Sequence, residues 1–281
     1  KKLRAVVDGI NSVGGTIIPE LLERMGVEVI KLNCEPTGEF AHNPEPLKEN
    51  LTEICHLVKK EKADLGIVVD PDVDRLAFIT EEGEMFGEEY TLVSVADYVL
   101  SCTPGNTVSN LSSTRALAEV TECHGGSYTA AAVGEVNVVA AMKETSAIIG
   151  GEGNGGIIYP ESHYGRDALV GVALMLTNVA KSGKKLSELR ASYPQFYMSK
   201  NKIELTKKIN VDNLLEQIKV LYKSERVTDI DGVKIDFATE WVHLRKSNTE
   251  PIIRIYTESG SAKGAEELAE RMISQIKKIT D

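Results

Sequence analysis

The apolar pattern of this sequence predicts an α/β protein: two related βα domains with mixed or parallel sheets, followed by a smaller α+β C-terminal domain. Three observations predict it. Short apolar runs alternate with helical periodicities before residue 103, the alternation restarts after Thr103-Pro104-Gly105-Asn106, and near Lys207 the texture changes to short strands flanked by amphipathic helices. The expected domains are therefore residues 1–102, 103–206 and 207–281. A chain of 281 residues, 42% of them hydrophobic, carries enough apolar material for more than one core.

Each element has its own signal. Ala5–Val7 is a short strand-like run, and Asp8–Gly15 is a turn-rich βα connection whose glycines do not make the G-x-G-x-x-G fingerprint. Ile17–Met25 has helical periodicity ended by Gly26, and Val27–Leu32 is the next strand. Leu47–Lys60 reads as a helix, Leu65–Val69 as a buried strand and residues 88–100 as a helix, which together give a βαβ order and a largely parallel sheet. After the restart, Thr107–Asn110 is strand-like, Thr114–Cys123 helical, Ser127–Ala131 strand-like and Val136–Lys143 helical. Ala147–Gly150 then runs into a Gly-rich loop before the strong helix Ala168–Ala180. In the last third, Val211–Tyr222 is an amphipathic helix, Val233–Phe237, Trp241–Leu244 and Ile252–Tyr256 are strands joined by turns, and Ala262–Ile279 is a closing helix. The lone tryptophan, Trp241, reads as a core residue.

Charge and cysteine usage narrow the function. A formal net charge of −10 argues against nucleic acid or an anionic membrane as partner, while leaving room for an anionic small molecule in a locally basic pocket. Cys34, Cys55, Cys102 and Cys123 suit neither a zinc site nor a disulfide framework, so they read as free thiols of a cytoplasmic protein. No apolar run has the roughly 20 residues a membrane span requires. The start, Lys1-Lys2-Leu3-Arg4, leads straight into a strand with no initiator Met and no signal-like apolar region, and reads as cut from a longer protein.

Three loops carry chemistry. Asp70, Asp72 and Asp74 alternate directly after the buried strand Leu65–Val69, so their carboxylates point the same way at a carboxyl strand end, where α/β folds bind ligands. Three such charges repel unless a cation sits among them, and hard oxygen donors suit magnesium or calcium. A calcium EF-hand is one rival, since Glu81 falls at the twelfth position from Asp70, but Arg75 stands where that loop needs Gly and the preceding segment is a strand. A solvated acidic turn is the other. In Gly150–Gly156, the glycines admit close approach of a ligand while Glu152 accepts and Asn154 donates or accepts; a flexible loop is the alternative. Arg245-Lys246-Ser247-Asn248-Thr249-Glu250-Pro251, with Arg254 shortly after, joins two strands and offers a guanidinium, hydroxyls, an amide and backbone N–H groups to a phosphate; a polar hairpin loop is the alternative. Ala41-His42-Asn43-Pro44 resembles a nucleophile loop but has no hydroxyl at Ala41, so His42 reads as an ordinary loop histidine.

In this order the loops resemble those of the α-D-phosphohexomutase family, which includes phosphoglucomutase, phosphomannomutase and phosphoglucosamine mutase. Asp70–Arg75 is similar to its metal loop D-G-D-x-D-R, Gly151–Gly155 to its sugar loop G-E-x-S-G, with Asn154 where Ser is usual, and Arg245–Pro251 to its phosphate loop R-x-S-[GN]-T-E-P. The resemblance implies three of the family's four domains: metal-binding (1–102), sugar-binding (103–206) and phosphate-binding (207–281). It implies Mg2+ on Asp70, Asp72 and Asp74, with Arg75 positioning the metal loop and a phosphoserine. It implies sugar contacts from Glu152, Gly153 and Asn154, and a phosphate grip from Arg245, Ser247, Asn248 and Thr249 supported by Arg254. The implied activity is interconversion of hexose 6-phosphate and hexose 1-phosphate through a bisphosphate intermediate, with a hexose bisphosphate activator. The phosphoserine belongs to a first domain outside this chain, so the chain alone is expected to be inactive. The substrate expectation leans to phosphoglucosamine mutase, with phosphomannomutase/phosphoglucomutase as the alternative and a non-catalytic sugar-phosphate or cation-binding module as the rival of another class. The loop usually read T-x-V-G-D-[KR] is Ala132-Val133-Gly134-Glu135-Val136 here and lacks the basic residue.

Overall fold

The computed structural model describes residues 2–204, 210–247 and 252–280. Two compact units emerge: one formed by Lys1–Ala130 with Gly134–Pro194, the other by Ala131–Val133 with the chain from Gln195 onward.

The first unit holds two sheets. One is built from β1 (Arg4–Asp8), α1 (Gly14–Arg24), β2 (Glu28–Leu32), α2 (Thr52–Glu61), β3 (Leu65–Val69) and β4 (Leu76–Thr80), with strand order β2-β1-β3-β4. β1 runs parallel to both neighbours, while β4 pairs antiparallel with β3. β3 and β4 are buried at every position, so both are apolar on both faces. Val6, Ile54, Val58, Val68 and Ile79 form the centre of the core between this sheet and α2. The second sheet follows from α3 (Glu88–Cys102), β5 (Asn106–Asn110), α4 (Ala116–Cys123), β6 (Tyr128–Ala131), α5 (Glu135–Thr145), β7 (Ala147–Glu152), β8 (Gly156–Ile158), α6 (Ala168–Ser182) and α7 (Leu186–Ser192). Its order is β6-β5-β7-β8, with β5 and β7 parallel and β7 and β8 antiparallel. The first strand inside, the second outside and a closing antiparallel strand thus recur in both sheets, and the kinship of the two domains is one of topology.

The second unit contains β9 (Tyr197–Glu204), α8 (Val211–Leu221), β10 (Arg226–Thr228), β11 (Val233–Asp236), β12 (Trp241–Lys246), β13 (Ile252–Ser259) and α9 (Ala262–Thr280). Its strands form an antiparallel sheet ordered β10-β11-β12-β13-β9. Ile235, Val242, Leu244, Ile253 and Ile255 bury one face of the sheet against Leu214 and Ile218 of α8 and Leu268, Met272 and Ile276 of α9. Trp241 is fully buried, as expected of a core residue.

The α/β class and its α+β close stand as the sequence predicts; several boundaries differ. Helix α1 starts at Gly14, three residues before the expected Ile17, because the small residues Gly14 and Gly15 form its buried first turn. The segment expected as one helix from Leu47 is a 3-10 turn at Lys48–Asn50 followed by α2 from Thr52. The boundary expected at residue 102 cuts off α3, which packs on α4, α6 and β7 of the second sheet. The boundary expected at 206 assigns β9 to the middle domain, whereas all eight of its residues pair with β13 in the C-terminal sheet. No helix among the described residues is long and apolar enough to cross a membrane.

Candidate functional site

The cation loop begins where β3 ends. Asp70 is buried, and its Oδ1 accepts the backbone N–H groups of Asp74 (3.1 Å) and Arg75 (3.0 Å), which curls the loop back on itself. The Val73 N–H donates to the Asp70 carbonyl at 3.1 Å, and Ser12 Oγ donates to the Pro71 carbonyl at 2.7 Å. This curl places Val73 at φ +60°, a left-handed conformation that a β-branched residue rarely adopts. Its result is convergence: Asp70, Asp72 and Asp74 each offer an oxygen within 4.8 Å of the others. Burial, reinforced by the neighbouring Asp74 and Asp72 carboxylates and opposed by the Arg75 N–H, pushes the Asp70 pKa up to about 7. A divalent cation relieves both the repulsion and the desolvation, so a hard oxygen-liganded ion such as Mg2+ fits this donor set. Strands on both sides of the loop, β3 and β4, replace the helices of an EF-hand. Arg75 stands beside the triad, with Nε 3.5 Å from Asp70 Oδ2 and 3.9 Å from Asp74 Oδ1, and Nη1 3.7 Å from Glu45.

The Gly-rich loop expected to bind sugar is a hairpin. β7 runs through Glu152, and Gly153–Gly155 turns the chain into β8. Glu152 is buried, with Oε1 accepting from Asn110 Nδ2 (2.9 Å) and the Gly134 N–H (3.1 Å), and Oε2 from Arg166 Nη1 (2.9 Å). These three bonds use three of the roughly four acceptor positions of a carboxylate, leaving room for about one more donor. Gly153 is required by close approach: a Cβ there would stand 1.9 Å from Glu89 Oε2, and that carboxylate accepts the Thr114 N–H at 3.0 Å. Asn154 Oδ1 accepts the Gly156 N–H at 3.2 Å, which leaves its amide N–H groups for a ligand.

Arg166 carries no sequence signal, yet its guanidinium joins the two loops. Its Nη2 donates to Asp74 Oδ2 of the cation loop, its Nη1 to Glu152 Oε2 of the sugar loop at 2.9 Å, and its Nε to Glu135 Oε2 at 3.1 Å. The loop that lacks its usual basic residue thus contributes a carboxylate, Glu135, while Val136 is 81% exposed. Backbone bonds tie the acidic loop down as well: the Leu76 N–H donates to the Gly155 carbonyl of the Gly-rich turn (3.2 Å), and the Ala168 N–H at the start of α6 donates to the Val73 carbonyl (3.1 Å). His42, set aside as an ordinary loop histidine, pairs through Nε2 with buried Asp8 at 3.2 Å.

In the second unit, Arg245 of β12 lies directly opposite Arg254 of β13, and Arg254 directly opposite Lys202 of β9. Directly opposed residues of antiparallel strands share a face, so three cations form a row on the side of the sheet away from the helices. Arg245 Nε pairs with Asp231 Oδ2 at 3.1 Å, while neither Arg254 nor Lys202 has an acidic partner among the described residues. Lys202 and Arg254 line a cavity of about 330 Å³ with Lys200, Asn201, Ile252 and Tyr256. The Ser247 N–H donates to the Ile252 carbonyl at 3.0 Å and closes the base of the β12–β13 connection. Asn248 and Thr249 lie outside the described residues. Lys202 is a basic neighbour without a sequence signal of its own, because the half-polar segment Tyr197–Glu204 becomes a strand only by pairing with β13.

Comparison with known proteins places these features. Three consecutive family models match: "Phosphoglucomutase/phosphomannomutase, alpha/beta/alpha domain II" over residues 1–83, "alpha/beta/alpha domain III" over 87–197, and the "C-terminal domain" over 202–275. A "Probable phosphoglucosamine mutase" of Methanopyrus kandleri is 34% identical over 99% of this chain and 62% of its own length. A "Phosphoglucomutase/phosphomannomutase" of Thermococcus kodakarensis is 38% identical over 94% of this chain and 59% of its own length. The crystal structure of a phosphoglucomutase/phosphomannomutase family protein from Burkholderia thailandensis superimposes with a TM-score of 0.86 at 26% identity, covering 100% of this chain and 62% of that one. The chain therefore spans about three fifths of the length of the relatives it matches. With its three domain matches in order and its carboxylate triad in the domain II match, the chain belongs to the phosphoglucomutase/phosphomannomutase family, the α-D-phosphohexomutases.

Proposed function

We propose that this chain supplies the cation, sugar and phosphate grips of a phosphohexomutase, an intramolecular phosphotransferase that interconverts a hexose 6-phosphate and a hexose 1-phosphate through a bisphosphate intermediate. The observation that carries the reading is the convergence of Asp70, Asp72 and Asp74 within 4.8 Å beside Arg75, in the same unit as the Glu152 hairpin. Asp70, Asp72 and Asp74 would hold Mg2+, which when bound neutralises charge on the transferring phosphoryl group. Arg75, which stands beside Asp70 and Asp74, would position a phosphoserine supplied by a preceding domain. Glu152, with its remaining acceptor position, and Asn154, with its free N–H groups, would orient the hexose hydroxyls on the Gly153 turn. Arg245 and Ser247, with Asn248 and Thr249, would hold the phosphate that is not transferred, and Arg254 would support them. Such a remote grip orients the substrate, and orientation supplies much of the catalysis in phosphoryl transfer.

Glucosamine phosphate is the favoured substrate and glucose or mannose phosphate the alternative, since relatives of both descriptions align along the chain. A hexose bisphosphate would act as activator, and the cytoplasm is the proposed location. The test is to assay the complete natural gene product on the 1- and 6-phosphates of glucosamine, glucose and mannose with Mg2+ and a hexose bisphosphate. The highest kcat/KM is expected for glucosamine phosphates, and none is expected from residues 1–281 alone. Turnover by the isolated chain would overturn the assignment of the phosphoryl carrier to another domain.

A further inference from the structure

We infer that Arg166 is a positioning residue that couples cation binding to sugar binding, so that occupancy of either loop raises the affinity of the other. The inference rests on the proposed cation and sugar sites and goes beyond them by joining them through one side chain.

The geometry is that of a clamp. One planar guanidinium holds Asp74 with Nη2, Glu152 with Nη1 and Glu135 with Nε. The fork is rigid, so the carboxylates it holds cannot shift independently of one another. The side chain is only 15% exposed, and its backbone is fixed on both sides. Arg166 forms an antiparallel bridge with Ile158, the Asp167 N–H donates to the Ile157 carbonyl at 2.8 Å, and Asp167 Oδ1 caps α6 by accepting from Leu169 and Val170. The stem of Arg166 also occupies the place of a missing side chain: a Cβ on Gly156 would stand 2.4 Å from Arg166 Cδ. The residue after the sugar turn is thus a glycine where the arginine needs the space.

The consequence follows from the charges. Asp74 uses Oδ2 on Arg166, which turns Oδ1 toward Asp70 and Arg75, the side where a cation would be bound. Metal-ligating carboxylates are oriented by such outer hydrogen bonds. A cation that fixes Asp74 also fixes the guanidinium, and the guanidinium fixes Glu152 in the sugar loop. A sugar hydroxyl arriving at Glu152 then meets an ordered acceptor, and by linkage the sugar must improve cation affinity by the same factor.

The test is calorimetric and independent of turnover. Mn2+ would be titrated into the chain with and without glucosamine 6-phosphate, and the sugar phosphate with and without Mn2+. Wild-type protein should show each ligand tightening the other about fivefold, at the low end of typical coupling, and inorganic phosphate in place of the sugar phosphate should show no such coupling. Arg166→Gln should bring the ratio to one. Arg166→Lys, which keeps the charge but loses the fork, should lower it, and Gly156→Ala, which displaces the stem without altering any charge, should lower it as well. A ratio near five that persists in Arg166→Gln, or in the other two variants if that one does not fold, would overturn the role of Arg166. Independent binding in the wild type would refute the coupling while leaving the proposed sites standing. Absence of both ligands' binding would remove the proposed sites and the coupling together.

Discussion

The cation loop and the basic row of the C-terminal sheet solve opposite electrostatic problems in opposite ways. Around the cation loop, carboxylates from three segments, Asp74, Glu135 and Glu152, are interlocked through Arg166, with Arg75 3.5 Å from Asp70 beside them. In the C-terminal sheet, Arg245, Arg254 and Lys202 stand in line across three strands with Asp231 as the acidic partner of the first. The first arrangement is held together by the protein, so a change there strikes the fold. The second is a surface of like charges that a bound anion would neutralise, so a change there strikes binding.

The sharpest way to break this contrast is Glu152→Ala. It strands the Asn110 amide, the Gly134 N–H and one arm of Arg166 in a buried setting, and should cost about 3 kcal/mol in urea unfolding of the chain. A loss below about 1 kcal/mol would show that the network is not interlocked.

Next in size is a pH effect beneath the basic row. His243 pairs with Tyr256 one step along the same face, and it is buried with Nε2 2.7 Å from the Asp231 carbonyl. Burial, aided by Lys234 and Arg245 and opposed by that carbonyl, lowers its pKa from 6.5 to about 4. The folded state therefore binds fewer protons than the unfolded chain between these values. Its contribution to stability is intact above about pH 6.5 and is lost as pH falls through about 4, by roughly 3 kcal/mol in all. Unfolding free energies measured across that range should show the slope, and His243→Gln should flatten it.

Arg254→Ala tests the other half of the contrast. Inorganic phosphate binding should weaken about tenfold, which corresponds to about 1.4 kcal/mol, while unfolding free energy should change by less than about 0.5 kcal/mol. The smallest effect is Lys202→Gln. Opposed like charges on a sheet destabilise it, so this variant should gain a few tenths of a kcal/mol at low salt and nothing at about 1 M salt, where screening is nearly complete. A gain that survives high salt would mean that the row is not held apart by charge.

The same contrast explains what could be read from the sequence. Asp70–Asp74 was legible because all three carboxylates belong to one loop and a five-residue apolar strand announces it. The Gly-rich hairpin was legible for a similar reason. Arg166 was not, since it reaches Asp74 across 92 positions and its own neighbours, Gly165 and Asp167, carry no pattern that points there. β4 was less legible although Leu76–Thr80 is an apolar run, because it is only five residues long and follows the acidic loop without a turn signal of its own. β9 is different: Tyr197–Glu204 is half polar and owes its strand conformation to pairing with β13, a preference that exists only in the tertiary context. The place of β9 and of Lys202 beside β13 is hidden from the sequence for the same reason.

Val73 sets a limit on how far the acidic motif can travel. Its left-handed backbone costs on the order of 1–3 kcal/mol, and the turn is kept in place by the Asp70 carbonyl on one side and by the Ala168 N–H, at the start of α6, on the other. The six letters from Asp70 to Arg75 are therefore not a portable cassette. Copied into another scaffold without its distant brace, the loop would unwind to an easier backbone and its three carboxylates would no longer face one point.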